Sequence, residues 1–174
     1  MSVEPVRQRP VPRNAGAVGR LALVAVLGTA LFAGCGDDAV QIDAPEPAPD
    51  DQAACRTLLQ AVPDDVADQA ARPVQPDGAW GTAWGDPPIV LTCGGPAPKG
   101  FNRTSSCTTV NGVDWFIPEE QLEAATPSDL TMTTVYRHPT VTVQMPADYW
   151  PPATTLADLS EAVAGATTRD GACL

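Results

Sequence analysis

Five cysteines, one histidine and a scatter of carboxylates are the residues of this 174-residue chain with which covalent chemistry could be done. The cysteines include no C-x-x-C pair and His138 stands alone, so a tetrahedral zinc site lacks both ligands and spacing, and neither metal nor cofactor is expected. A catalytic nucleophile needs a base held by a carboxylate. Ser105-Ser106 sits in no such setting, and His138, followed by Pro139, reads as an exposed turn residue. Asp86, Asp114, Glu119 and Glu120 flank apolar or aromatic residues and could supply paired carboxylates for glycosidic hydrolysis. Neighbours on a strand point to opposite faces, however, and short acidic runs are usually solvated, so structural roles are favoured. For Asp86 that role is to stabilise the turn into Pro87-Pro88. Gly94-Gly95 follows an apolar run, but Pro96 and Pro98 stand where a phosphate loop needs a helix.

Tryptophan is the remaining candidate for recognition. Trp84 and Trp115 adjoin the strongest strand signals and are expected in the core, whereas Trp80, beside Gly81, and Trp150, beside Pro151-Pro152, are candidate binding residues. An aromatic platform with amides and carboxylates around it is a usual way to hold a sugar or a peptide.

The elements that must position these residues begin after a leader. Arg7, Arg9, Arg13 and Arg20 precede a stretch of 12 apolar residues, Leu21 to Phe32, too short for a bilayer span, which needs about 20. Leu31-Phe32-Ala33-Gly34-Cys35 resembles the lipobox of bacterial lipoproteins, whose cysteine receives a diacylglycerol and becomes the first mature residue. Residues 1–35 are thus read as a lipoprotein signal peptide in preference to an ordinary secretory signal, with a membrane anchor at Cys35 on the extracytoplasmic face. Cysteine parity agrees: with Cys35 lipidated, Cys55, Cys93, Cys107 and Cys173 are left to form two disulfides in an oxidising compartment. Removing the leader leaves six basic against 20 acidic residues, a net charge of −14, which makes nucleic acid an unsuitable partner.

Residues 36–52 carry six acidic residues, no basic one, and alternating Pro45, Pro47 and Pro49, which reads as an extended tether reaching up to about 50 Å. Residues 53–174 form a single globular domain. A short helix over Ala53 to Val62 stops at Pro63; residues 63–79 read as an irregular connection leading to Trp80-Gly81-Thr82-Ala83-Trp84. Ile89 to Cys93 is a buried strand. Asn111-Gly112 supplies a type I′ hairpin turn between Cys107 to Val110 and Val113 to Ile117. Pro118 to Thr126 allows one or two helical turns, Leu130 to Tyr136 and Val141 to Met145 alternate as strands, and Thr155-Leu156-Ala157-Asp158 resembles a capping box opening a final helix. The local disulfide choice is Cys93 with Cys107, leaving Cys55 with Cys173; the other two connectivities remain open.

Taken together, the lipobox, a first cysteine before Leu58-Leu59, the run Ala83-Trp84-Gly85-Asp86-Pro87-Pro88-Ile89-Val90-Leu91-Thr92-Cys93-Gly94, then Val110-Asn111-Gly112-Val113-Asp114-Trp115 and a cysteine at the extreme end resemble an actinobacterial lipoprotein family catalogued as domain of unknown function 3515. The resemblance covers about residues 53–174. It implies an envelope location and a cell-wall context, and no activity. The expected fold is α+β: a small antiparallel sheet of about four strands, two helices on one face, two disulfides. The expected function is a non-catalytic, lipid-anchored envelope protein that binds a wall component or an envelope protein. The alternative is a wall hydrolase using Asp114 with Glu119 or Glu120.

Overall fold

The structure, a computed structural model, describes residues 39–173; the expected leader with Cys35 lies outside the described residues. In chain order, strand β1 (Val40–Gln41) precedes helix α1 (Gln52–Ala61), followed by β2 (Asp65–Val66), β3 (Gln69–Arg72), β4 (Val74–Gln75), β5 (Gly81–Trp84) and β6 (Ile89–Cys93). Next come β7 (Thr108–Val110), β8 (Val113–Phe116), the one-turn helix α2 (Glu119–Leu122) and β9 (Leu130–Thr134). Strands β10 (Arg137–His138) and β11 (Val141–Met145), helix α3 (Ala153–Ala166) and β12 (Thr168–Arg169) complete the described chain.

Period-two alternation builds the centre. Ile89, Leu91 and Cys93 of β6, Val141, Val143 and Met145 of β11, and Leu130 and Met132 of β9 point to one face and are at most 1% exposed. Helices α1 and α3 cover that face, adding Leu58, Leu156, Leu159 and Val163 to a core that also holds Trp84 and Trp115. Burial of each such aliphatic side chain contributes about 1.5–3 kcal/mol. Trp84 also satisfies its indole N–H on the Pro63 carbonyl, 3.0 Å away.

The sheet is twice the expected size. Eight strands run antiparallel in the order β2-β3-β5-β6-β11-β9-β8-β7, which overturns the expectation of about four. Gln69-Ala70-Ala71-Arg72 has no apolar alternation, and β5 brings one large apolar side chain, Trp84, so neither carried a strand signature. Their pairing is supplied by the backbone: once Trp84 is in the core, Ala83 and Trp84 lie opposite Arg72 and Ala71, and Arg72 Nη1 donates to the Gly85 carbonyl at 3.1 Å. The hairpin of β7 and β8 does follow its turn residues, with φ of 47° at Asn111 and 79° at Gly112.

Helix α3 begins two residues before the expected cap. Thr155 is instead buried with its hydroxyl on Met145 Sδ, and Asp158 accepts the Ala67 backbone N–H at 2.8 Å. The disulfides also pair differently from the local choice: Cys55 joins Cys93, and Cys107 joins Cys173. Sheet order explains why. Strand β6 is four positions from β7, so at about 4.8 Å per strand the thiols that are near in sequence are about 19 Å apart in space. The observed bridges span 38 and 66 residues, each worth about 4 kcal/mol in the chain-entropy account.

The segment expected to be an extended tether is folded onto the domain from Val40 onward. Strand β1 pairs parallel with β4, and the Val40 and Ile42 amides donate to the Pro73 and Gln75 carbonyls, both at 2.8 Å. Ile42 is 6% exposed, Pro47 is buried, and Pro45 faces Gly95. The prolines that suggested a spacer have φ already set, so holding the segment costs less conformational entropy than for an ordinary chain. Ile42 alone contributes about 1.5–3 kcal/mol by burial. Contact at the far end is close: Gly94 has φ +92°, and a Cβ there would lie 2.5 Å from Pro47 Cβ. Gly94→Ala is therefore expected to lower stability by about 1–3 kcal/mol, measured by urea unfolding of the oxidised protein.

Candidate binding groove

A groove of about 650 Å³ opens between the 94–106 loop and α2. Strand β8 leads into it through Ile117-Pro118, and α2 is pinned on β9, where Gln121 Oε1 accepts the Thr131 N–H at 2.8 Å and the Gln121 carbonyl accepts from Ser128 Oγ at 3.0 Å. The loop opposite is held by its own turn: Asn102 Oδ1 accepts the Thr104 N–H at 2.9 Å and its hydroxyl at 2.6 Å. Phe101 anchors the loop, edge-on to Phe116 and Tyr136 with ring centroids 5.4 and 5.7 Å apart. Lys99 lines one side, Glu119, Glu120 and Glu123 the other, with the hydroxyls of Ser105 and Ser106 along the rim. Such a lining offers hydrogen bonds of both senses and charges of both signs to a polar, polyfunctional ligand.

Asp114 does not line this groove. Its carboxylate is 5% exposed and fully engaged: Oδ1 accepts from Thr109 Oγ1 at 2.7 Å, and Oδ2 accepts from Arg169 Nη2 at 3.3 Å and from the Cys173 N–H at 3.4 Å. Nearby, burial first and the positive charge of Arg169 second pull the Arg137 guanidinium below its ordinary pKa, opposed by Asp114. Arg137 spans to Thr167 and to the Gly112 carbonyl at 3.0 Å, so this cluster ties the C-terminal segment to the β7–β8 hairpin. Asp114 and the glutamates of α2 are thus not brought together as a catalytic pair.

Trp84 and Trp115 lie in the core as expected, whereas of the two candidate binding residues Trp80 packs against the core and Trp150 is exposed. Trp84 and Trp115 are fully buried; the Trp115 indole N–H has no acceptor among the described residues. Trp80 is half-buried, with the Arg56 guanidinium 5.1 Å from its ring centroid, and Trp150 is 37% exposed. Neither lines the groove. Next to Trp150, Tyr149 donates to the Pro87 carbonyl at 2.7 Å, and burial raises its pKa. Asp86 forms no turn cap; it is exposed and lies 3.7 Å from Arg72 Nη1. His138 is exposed, as expected, but Nε2 lies 2.6 Å from Oδ1 of Asp51, a buried carboxylate at the start of α1. Sequence reading missed that contact because 87 positions separate the partners, and missed the groove because the contacts of Phe101 with Phe116 and Tyr136 that seat its loop join segments distant in the chain. The Asn102-x-Thr104 spacing was the one local signal for the loop's turn.

Among the described residues there is no cluster of three or more histidine, cysteine or carboxylate groups able to hold a metal. A family model described as a protein of unknown function (DUF3515) matches residues 17–170. No curated protein and no solved structure matches the chain. Asp114→Asn puts an amide NH2 or a neutral oxygen where Arg169 and Cys173 donate. Its expected cost is about 1–3 kcal/mol of stability by urea unfolding.

Proposed function

Because the chain belongs to this family of unknown function, matched over residues 17–170, we propose its role from its own residues: an exported protein anchored by diacylglycerol at Cys35 to the extracytoplasmic face of the cell membrane, whose domain binds without catalysing a reaction. The observation that carries this reading is the cysteine count. Both disulfides lie within the domain and consume Cys55, Cys93, Cys107 and Cys173, so Cys35, at the end of the lipobox-like run, is the fifth and the one left over. Paired cysteines belong to an oxidising compartment, and an odd thiol at the end of an apolar leader is where lipid is attached.

A binding role is supported by the groove, by exposed Trp150 and by the full engagement of Asp114 in structural contacts. The ligand class is a cell-wall component or an envelope protein; a net charge of −14 after the leader repels the phosphate backbone of nucleic acid.

Cys35→Ala is expected to release the protein from membranes or to stop its maturation, read by fractionation. Detergent-dependent membrane association that persists in the variant would sink the lipid anchor. Mature protein with intact disulfides should pellet with insoluble cell wall, and Trp150→Ala should weaken pelleting about tenfold. Protein that stays in the supernatant would exclude the wall and leave an envelope protein as the partner.

A further inference from the structure

A lipid on Cys35 acts on the domain through whatever chain lies between them, and that chain is short. Val40 is already fixed: it pairs with Val74 in β4, its amide donates to the Pro73 carbonyl, and two residues on Ile42 donates to Gln75 and buries its side chain. Gln41 Nε2 adds a bond to Gln75 Oε1 at 2.9 Å. From Ile42 the chain crosses the face of the sheet opposite the helices, where an added Cβ on Gly81 would meet Ile42 Cγ2 at 3.2 Å. It then passes Pro45 over Gly95 and Pro47 over Gly94, and reaches Asp51, which His138 holds. Five virtual bonds separate Cys35 from Val40, so an anchored thiol lies within about 18 Å of the domain, against about 50 Å for a free spacer.

We infer that residues 40–51 are a strap, and that they hold the domain flush against the outer surface of the bilayer with the groove beside Val40 and Gln41 turned toward the lipid headgroups. This rests on the lipid attachment proposed above. The groove, about 470 Å³, lies beside the strap and is lined by Val90, Leu130, Thr131, Gln144 and Pro146 among others. Its one charged lining residue is Asp129, whose Oδ1 accepts the Ala147 N–H at 2.9 Å. The strap on the same side carries exposed Asp43 and Glu46, so it is position and not charge that brings this groove to the bilayer: Val40 and Gln41, the first paired residues after Cys35, are part of its lining. The occupant of this face is the lipid surface, and the groove at α2 is left for the partner.

The test uses the full lipidated chain reconstituted into a supported bilayer of neutral and anionic phospholipid. Neutron reflectometry should place the inner edge of the protein layer within about 18 Å of the headgroups, and Ile42→Asp should move it outward and broaden it toward 50 Å. A wild-type layer as distant and diffuse as that of Ile42→Asp would overturn the strap while leaving the anchor intact. No retained layer at all would overturn the anchor, and with it this inference. Hydrogen exchange on the same chain supplies a readout independent of the lipid: the Val40 and Ile42 amides should exchange at least tenfold more slowly than an unstructured chain, and free-chain rates would overturn the strap. A photocrosslinking residue placed at Gln144 should label phospholipid and one placed at Glu161 on α3 should not; labelling in the reverse order would overturn the assigned face.

Discussion

The buried bridge between Cys55 and Cys93 is the constraint on which the rest of the molecule depends. Both residues have no exposed surface, and they join the middle of α1 to the end of β6 at the centre of the sheet. With α1 held there, Leu58 closes the core over β6, and Asp51 at the helix start is presented to His138. The strap then has a fixed far end. A helix of ten residues with no side-chain cap has little stability of its own, so its position comes from the bridge and the packing rather than from helix propensity.

The second bridge works at one edge of the sheet. Cys107 immediately precedes β7 and Cys173 lies at the end of the described chain, so the bridge returns the C-terminal segment to the hairpin that Asn111-Gly112 forms. Asp114 is buried beneath it with Thr109, Arg169 and the Cys173 amide around its carboxylate. Such a charge is tolerated in a low dielectric because each oxygen has a donor, and the arrangement fixes the tail in one place.

Legibility in the sequence followed the range of the forces involved. Strands β9 and β11 alternate apolar residues with period two, β6 is a bounded apolar run, and the hairpin turn before β8 needs two positive φ values that Asn111 and Gly112 supply, so these were readable from neighbours alone. Strands β3 and β5 were not, since Gln69 to Arg72 pairs through its backbone and carries no apolar stripe. The pairing of the cysteines depended on sheet order, which no local spacing encodes. The proline-rich segment misled for a related reason: composition forbids it a core of its own but says nothing about packing onto Gly81, Gly94 and Gly95 elsewhere in the chain. Of the groove at α2, the turn at Asn102 was local, whereas its contact with Phe116 and Tyr136 joins segments distant in the chain.

An open sheet of eight strands has two unpaired margins, each a potential template for a strand of another copy. Here both margins are blunt: β2 is two residues long and β7 three, and Ser160 of α3 already bonds the Val110 carbonyl at 3.2 Å. Two or three residues offer too few free amides to template a neighbouring strand. The short strands that end the sheet therefore close it in a form that resists edge-to-edge polymerisation.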